Sequence, residues 1–271
     1  MIKRIITAVV LLPLLLVVVL VLPKICTGIL FGLMAAIAAY ELLCGTKLIK
    51  HSRLLIYAGI MALLTGLYSS LGIHPGVEKL TVLAFFCLLA GELLLSHAKL
   101  PFYEVALTFA AGLIIPYLLC AVVRLHSWDN GRYLILLPFV IAFLSDTGAY
   151  FAGMAFGSHK LAPIISPKKT VEGLVGGVLG AIIGVFIYAL VLQLAFGFHA
   201  HYWYTLIYGL LGSLGAVLGD LCFSAIKRQT GIKDYSQLIP GHGGILDRFD
   251  SVIVVAPLTE ALMLLIPLVV K

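Results

Sequence analysis

The chain is a succession of long apolar runs separated by short polar breaks. The runs are Ile5–Leu22, Cys26–Cys44, Leu54–Leu71, Leu80–Ser96, Val105–Val123, Tyr133–Ala155, Val171–Phe196, Trp203–Ile226 and Phe249–Val270. Most are continuous over roughly 20 residues, the length of a helix that crosses a bilayer. Barrel strands would instead alternate polar and apolar over ~10 residues. In lipid every backbone polar group must be satisfied internally, which leaves helices for such runs. The pattern predicts an all-α polytopic membrane bundle of about nine transmembrane helices in one domain, 1–271. Within it, 1–132 reads as scaffold helices and 133–271 as the helices and loops that carry chemistry. The Met-Ile-Lys-Arg start resembles a signal peptide, but the run behind it is long and no small-x-small cleavage site follows, so it reads as the first span.

Composition supports this. The chain is 62% hydrophobic and 11% charged, with a mean hydropathy of +1.14. A soluble domain carries about 25% charged residues. Lys and Arg are distributed unevenly. With the N-terminus in the cytoplasm, Lys3, Arg4, Lys47, Lys50, Arg53, Lys99, Lys160 and every base from Lys168 to Arg248 fall inside. Lys24, Lys79, Arg124, Arg132 and Lys271 fall outside. The positive-inside rule therefore favours a cytoplasmic N-terminus and cytoplasmic polar loops. The five cysteines show no paired ligand spacing and read as buried small hydrophobes. The glycines of 171–196 and 203–226 suit close helix packing.

Acids inside spans are costly, roughly 2.5–3.5 kcal/mol each on insertion scales. Glu41, Glu92 and Glu260 read as structural, through hydrogen bonds between helices, with Glu41 near enough to the end of its run to reach water. Asp220 differs in its company. Asp220, Ser224 and Lys227 are spaced i, i+4, i+7 on one helical face. Asp247 and Asp250, spaced i, i+3, share a face at the start of the last span. These carboxylates, with Asp146 in Ser145-Asp146, suit a hard divalent cation such as Mg²⁺, which leaves positions for phosphate oxygens; a second cation has room beside it. The alternative is salt bridging to Lys227, Arg228 and Arg248.

Between the last two spans lies Pro240-Gly-His242-Gly243-Gly244, flanked by Lys227, Arg228, Lys233 and Arg248. Glycines let backbone N–H groups approach a phosphate, and the bases add charge. No Gly-Lys-Ser/Thr follows, so this is not a P-loop. His242 is a candidate to hydrogen-bond a phosphate or protonate a leaving group. A second polar block, Ser166-Pro-Lys168-Lys169-Thr170-Val-Glu172-Gly173, places a helix N-terminus and two lysines on the same side, where anions bind well.

The segment from Ser224 to Asp250 resembles the signature of the phosphatidate cytidylyltransferases, also called CDP-diacylglycerol synthases. The matching positions are Ser224, Lys227-Arg228, Lys233-Asp234, Pro240, His242-Gly243-Gly244, Asp247-Arg248 and Asp250. Ser145–Tyr150 and Ser166–Gly173 look like further blocks of that family. The resemblance implies that CTP and phosphatidic acid give CDP-diacylglycerol and pyrophosphate, in phospholipid biosynthesis. It also implies Mg²⁺ dependence, a bacterial inner-membrane location and a homodimer. On it, Asp220 and Asp247 are the first candidates for metal, then Asp250 and Asp146. Lys227, Arg228, Lys233, Arg248, Ser224, Gly243 and Gly244 are candidates for CTP, and Lys168, Lys169 and Thr170 for the lipid phosphate. Two other readings stand beside it: a related CTP-using lipid enzyme, such as a polyprenol kinase or an archaeal-type CDP-lipid synthase, and a secondary transporter with intramembrane acids. The position of the acids near one surface, next to a phosphate-type loop, counts against transport.

Overall fold

A computed structural model describes residues 13–96, 99–239, 241 and 243–271. Residues 5–12 of the first apolar run, and with them Lys3 and Arg4, lie outside the described residues, as do Pro240 and His242. The described chain is helical almost throughout, as the continuous apolar runs predict. Among the described residues, six helices are long and apolar enough to cross a membrane: Lys24–Gly45, Ser52–Leu71, Phe102–Ser127, Gly131–Phe156, Val171–Phe196 and Tyr204–Gln229. Two further helices, Pro75–Leu95 and Leu246–Leu265, have the length but carry more charge, through Glu78, Lys79 and Glu92 in one and Asp247, Arg248, Asp250 and Glu260 in the other. The fold is an all-α membrane bundle.

In chain order the elements are α1 (helical residues 13–20), α2 (Lys24–Tyr40) with a π-helical turn at Glu41–Gly45, α3 (Ser52–Leu71) and α4 (Pro75–Leu95). A broken helix follows: α5 (Phe102–Phe109), a π turn at Ala110–Ile114, α6 (Ile115–Leu119) and α7 (Ala121–Ser127). Then come α8 (Gly131–Leu134), α9 (Leu137–Phe156), β1 (Lys160–Ala162) and β2 (Ser166–Thr170). The rest is α10 (Val171–Phe196), β3 (His199–Ala200), α11 (Tyr204–Gln229), α12 (Leu246–Leu265) and β4 (Val269–Val270). The strands form two antiparallel pairs, β1 with β2 and β3 with β4.

The chain divides into two compact units. The first holds the described parts of 1–131 together with 229–249; the second holds 132–228 and 250–271. The glycine-rich segment thus belongs with the N-terminal helices. In the first unit Leu54, Met61, Phe85, Leu89, Leu100 and Val105 form a core, and the rings of Phe85 and Phe109 stack at 6.1 Å. Glu92 bonds between helices as expected, accepting from Tyr57 Oη at 3.0 Å and pairing with Arg53 at 3.0 Å.

In the second unit the glycine stripe of α10 faces α9. A side chain at Gly176 would place its Cβ 2.1 Å from Ala152 Cβ, so the two backbones meet only because that position is bare. The opposite face of α10 exposes Val175, Leu179, Ile183 and Phe186. That outer surface is as apolar as the core, which suits lipid and explains the composition. Cys87 and Cys222 lie on exposed faces rather than in the core, so the expectation that all five cysteines are buried holds only in part. In lipid an outward thiol meets an apolar medium, so burial against protein is not required of it.

Candidate functional site

The second unit gathers the acids and lysines singled out in the sequence. Asp220 sits in the last third of α11, and its Oδ1 accepts a 3.0 Å hydrogen bond from Ser224 Oγ one turn later, as the i, i+4 spacing requires. Its Oδ2 lies 2.6 Å from Lys169 Nζ. That nitrogen is buried and has the carboxylate as its ion-pair partner. Lys227, one turn beyond Ser224, is buried at 9% exposure, while Arg228 is exposed and its Nε donates to the Ile165 carbonyl at 3.3 Å.

Asp250 joins this group. Gly219 lets α11 and α12 touch there; a Cβ at Gly219 would stand 2.4 Å from the Asp250 carbonyl oxygen. Asp250 Oδ1 accepts from the Ser251 N–H at 2.7 Å, and its carboxylate lies within the electrostatic reach of Asp220, Lys227 and Asp146. Three carboxylates and two lysines thus share one neighbourhood.

Beside them is a cavity of about 340 Å³, lined by Asp146, Lys168, Lys169 and Thr170 on its polar side and by Tyr150, Met154, Leu161, Leu174 and Val217 on its apolar side. The polar block Ser166–Gly173 builds its mouth. It is not a loop but the second strand of a hairpin running into α10. Thr170 caps α10, its Oγ accepting from the Gly173 N–H at 3.1 Å. Glu172 turns back and accepts from the N–H groups of Ser158 and His159, tying the hairpin to the helix. Lys168 is exposed at the rim.

The first unit holds the glycine-rich segment. Gly243 has φ +85°, a left-handed conformation that glycine adopts without strain. Ile239 N–H donates to the Gly243 carbonyl at 2.9 Å, closing the turn. Asp247, in the first turn of α12 and 9% exposed, accepts from the Tyr235 N–H at 2.8 Å and the Gly244 N–H at 3.0 Å, both at Oδ2. The Gly244 amide therefore faces Asp247 rather than outward. Lys233 and Arg248 are exposed. Asp247 and Asp250 lie one turn apart on α12, as their spacing predicts.

Glu41, next to this segment, has the structural role read from the sequence and not the alternative of reaching water. Glu41 is 2% exposed and does not reach water. It accepts from Ser236 Oγ at 2.6 Å and from the N–H groups of Ile245 and Leu246 at 3.0 and 2.8 Å. The available signal was an acid at the end of an apolar run.

Among the described residues, no three or more His, Cys, Asp or Glu side chains converge closely enough to hold a metal. The donor chemistry still fits Mg²⁺, which is held by one or two carboxylates plus substrate phosphates rather than by a protein cage. Asp220 with Asp250 supplies such a pair, with only oxygen donors and a lysine offsetting the charge.

Fold and site together define a class of α-helical membrane proteins with an amphiphilic, lysine-lined cavity beside clustered carboxylates. The cytidylyltransferase family profile matches residues 2–266, nearly the whole chain. The chain belongs to that family. It is 44% identical over 136 residues to a phosphatidate cytidylyltransferase of Staphylococcus saprophyticus, and 43% identical over 136 residues to proteins of that name from Staphylococcus epidermidis and Staphylococcus aureus. Each match takes in 50% of this chain and 51% of the relative, so the chain spans about half the length of the curated relatives it matches.

Proposed function

We propose that the protein is a phosphatidate cytidylyltransferase, transferring CMP from CTP to phosphatidic acid with release of pyrophosphate. The observation that carries this is the cavity of the second unit, where Lys168, Lys169 and Thr170 face apolar walls. A phosphate monoester on a diacyl tail needs that pairing of cationic and apolar surface. The Thr170 hydroxyl uses an acceptor site in capping and keeps its O–H to donate to a phosphate oxygen.

A phosphatidate oxygen attacks the α-phosphorus of CTP, the bond from that phosphorus to the bridging β-oxygen breaks, and pyrophosphate leaves with that electron pair. The nucleophile is already ionised near neutral pH, so no strong general base is needed. Such transfers rest on positioning and charge neutralisation. Bound Mg²⁺ would supply part of that neutralisation, with Asp220 as its first ligand and Asp250 and Asp146 nearby. Lys169 holds the Asp220 charge when no cation does so, and faces the cavity where the lipid phosphate would sit. Lys227, Arg228, Lys233 and Arg248 stay the candidates for the triphosphate that the sequence offers, and His242 for the leaving group. Asp247 is required for the loop it holds.

The apolar runs favour about nine spans, the uneven Lys and Arg favour the N-terminus and the site on the cytoplasmic side, and the family resemblance favours a bacterial inner membrane. We further propose a homodimer, which family resemblance favours. The test is pyrophosphate release by the purified protein in mixed micelles. It should require CTP, phosphatidic acid and Mg²⁺ together; release of CDP instead would point to a lipid kinase.

A further inference from the structure

We propose that Glu41 is a positioning residue for the reaction, clamping the glycine-rich segment 236–246 so that the nucleotide meets a fixed surface. This rests on the function proposed above.

The argument begins with burial. A carboxylate at 2% exposure is costly to keep unless hydrogen bonds replace its water. Glu41 has three, and their donors are the two flanks of one turn: Ser236 before the glycines, Ile245 and Leu246 after them. One side chain thus ties both ends of the segment to a helix about 200 residues away in sequence. The Ile245 and Leu246 amides are also the unpaired donors at the start of α12, where partial positive charge attracts an anion. Glu41 fills the position that a phosphate would otherwise take at that terminus. The triphosphate is then left to the exposed cations Lys233 and Arg248.

The surroundings are shaped for this contact. A Cβ at Gly244 would come within 2.5 Å of the Glu41 carboxylate, and a Cβ at Gly45 within 2.4 Å of the Tyr235 carbonyl oxygen. Both glycines therefore let the segment lie directly on the end of α2. Glu41 opens a π-helical turn, Glu41–Gly45, a local widening that is frequent at functional sites. Asp247 holds the same segment from the other side, through Tyr235 and Gly244. Between them the two acids take up the Tyr235, Gly244, Ile245 and Leu246 amides.

Amide hydrogen exchange and steady-state kinetics on the full-length protein, wild type against Glu41→Gln, test the clamp. The substitution keeps the shape but puts an amide NH₂ against backbone donors. Exchange over 244–246 should rise about tenfold while α3 and α10 keep their protection. KM for CTP should rise about 10-fold, in line with the loss of supporting partners elsewhere, with kcat and KM for phosphatidic acid changed less than about twofold. Ser236→Ala, which removes one of the three bonds, should move the same quantities by a few-fold, and it decides the matter if Glu41→Gln does not fold. Unchanged exchange over 244–246, or kinetic losses shared equally by both substrates, would overturn the proposal. If the wild type makes no CDP-diacylglycerol, the functional reading fails, while the exchange result still decides whether Glu41 clamps the segment.

Discussion

The two units use their acids in opposite ways. In the second, Asp220 faces a lysine at 2.6 Å on the wall of a cavity. A side-chain cation is an exchangeable partner, since a metal ion or a substrate phosphate competes for either member. In the first, Glu41 and Asp247 each accept from two backbone amides, with the Ser236 hydroxyl as a further donor to Glu41. An amide cannot leave, so those acids fix shape. From this contrast we propose that the carboxylates with mobile partners serve the chemistry and those with fixed ones the architecture.

The sharpest way to break that contrast is Asp220→Asn. It keeps the volume and the Ser224 contact but removes the charge, and kcat should fall at least about 1,000-fold with an unchanged thermal midpoint in detergent. Near-normal Mg²⁺-dependent turnover would remove Asp220 from the chemistry. Lys169→Met should lower kcat/KM for phosphatidic acid by about 100-fold, the scale of about 3 kcal/mol for a lost charge-assisted contact. Titration of Mg²⁺ should show half-saturation no higher than in wild type, because the competing cation is gone. Glu41→Gln falls on the architectural side, with the roughly 10-fold effect on KM for CTP given above. Thr170→Ala is the mildest, costing about 1 kcal/mol of stability through the lost cap, read as a lower midpoint on thermal unfolding.

Sequence showed the local half of this arrangement and missed the distant half. The helix Val171–Phe196 was legible to the residue, because its apolar run is unbroken and Thr170 caps it. Asp220 and Ser224 were legible together because one helical turn fixes their geometry. Ser166–Thr170 was read as a loop, since a five-residue strand with two lysines and a proline shows no apolar alternation. Lys169 and Asp220 were assigned to separate ligands, and only the packing of the hairpin beside α11 brings them together. Glu41 reads as structural from the sequence, but its partners were not legible, because they lie 195 to 205 residues away, beyond the reach of any periodicity.

The central claim, cytidylyl transfer to a lipid phosphate, is tested most directly by following the α-phosphorus of CTP. With CTP labelled at that position, phosphatidic acid and Mg²⁺, the label should pass into the chloroform-soluble lipid, one equivalent for each pyrophosphate released. Label that stays in the aqueous phase, or lipid that is labelled only from the γ-position, would contradict the account.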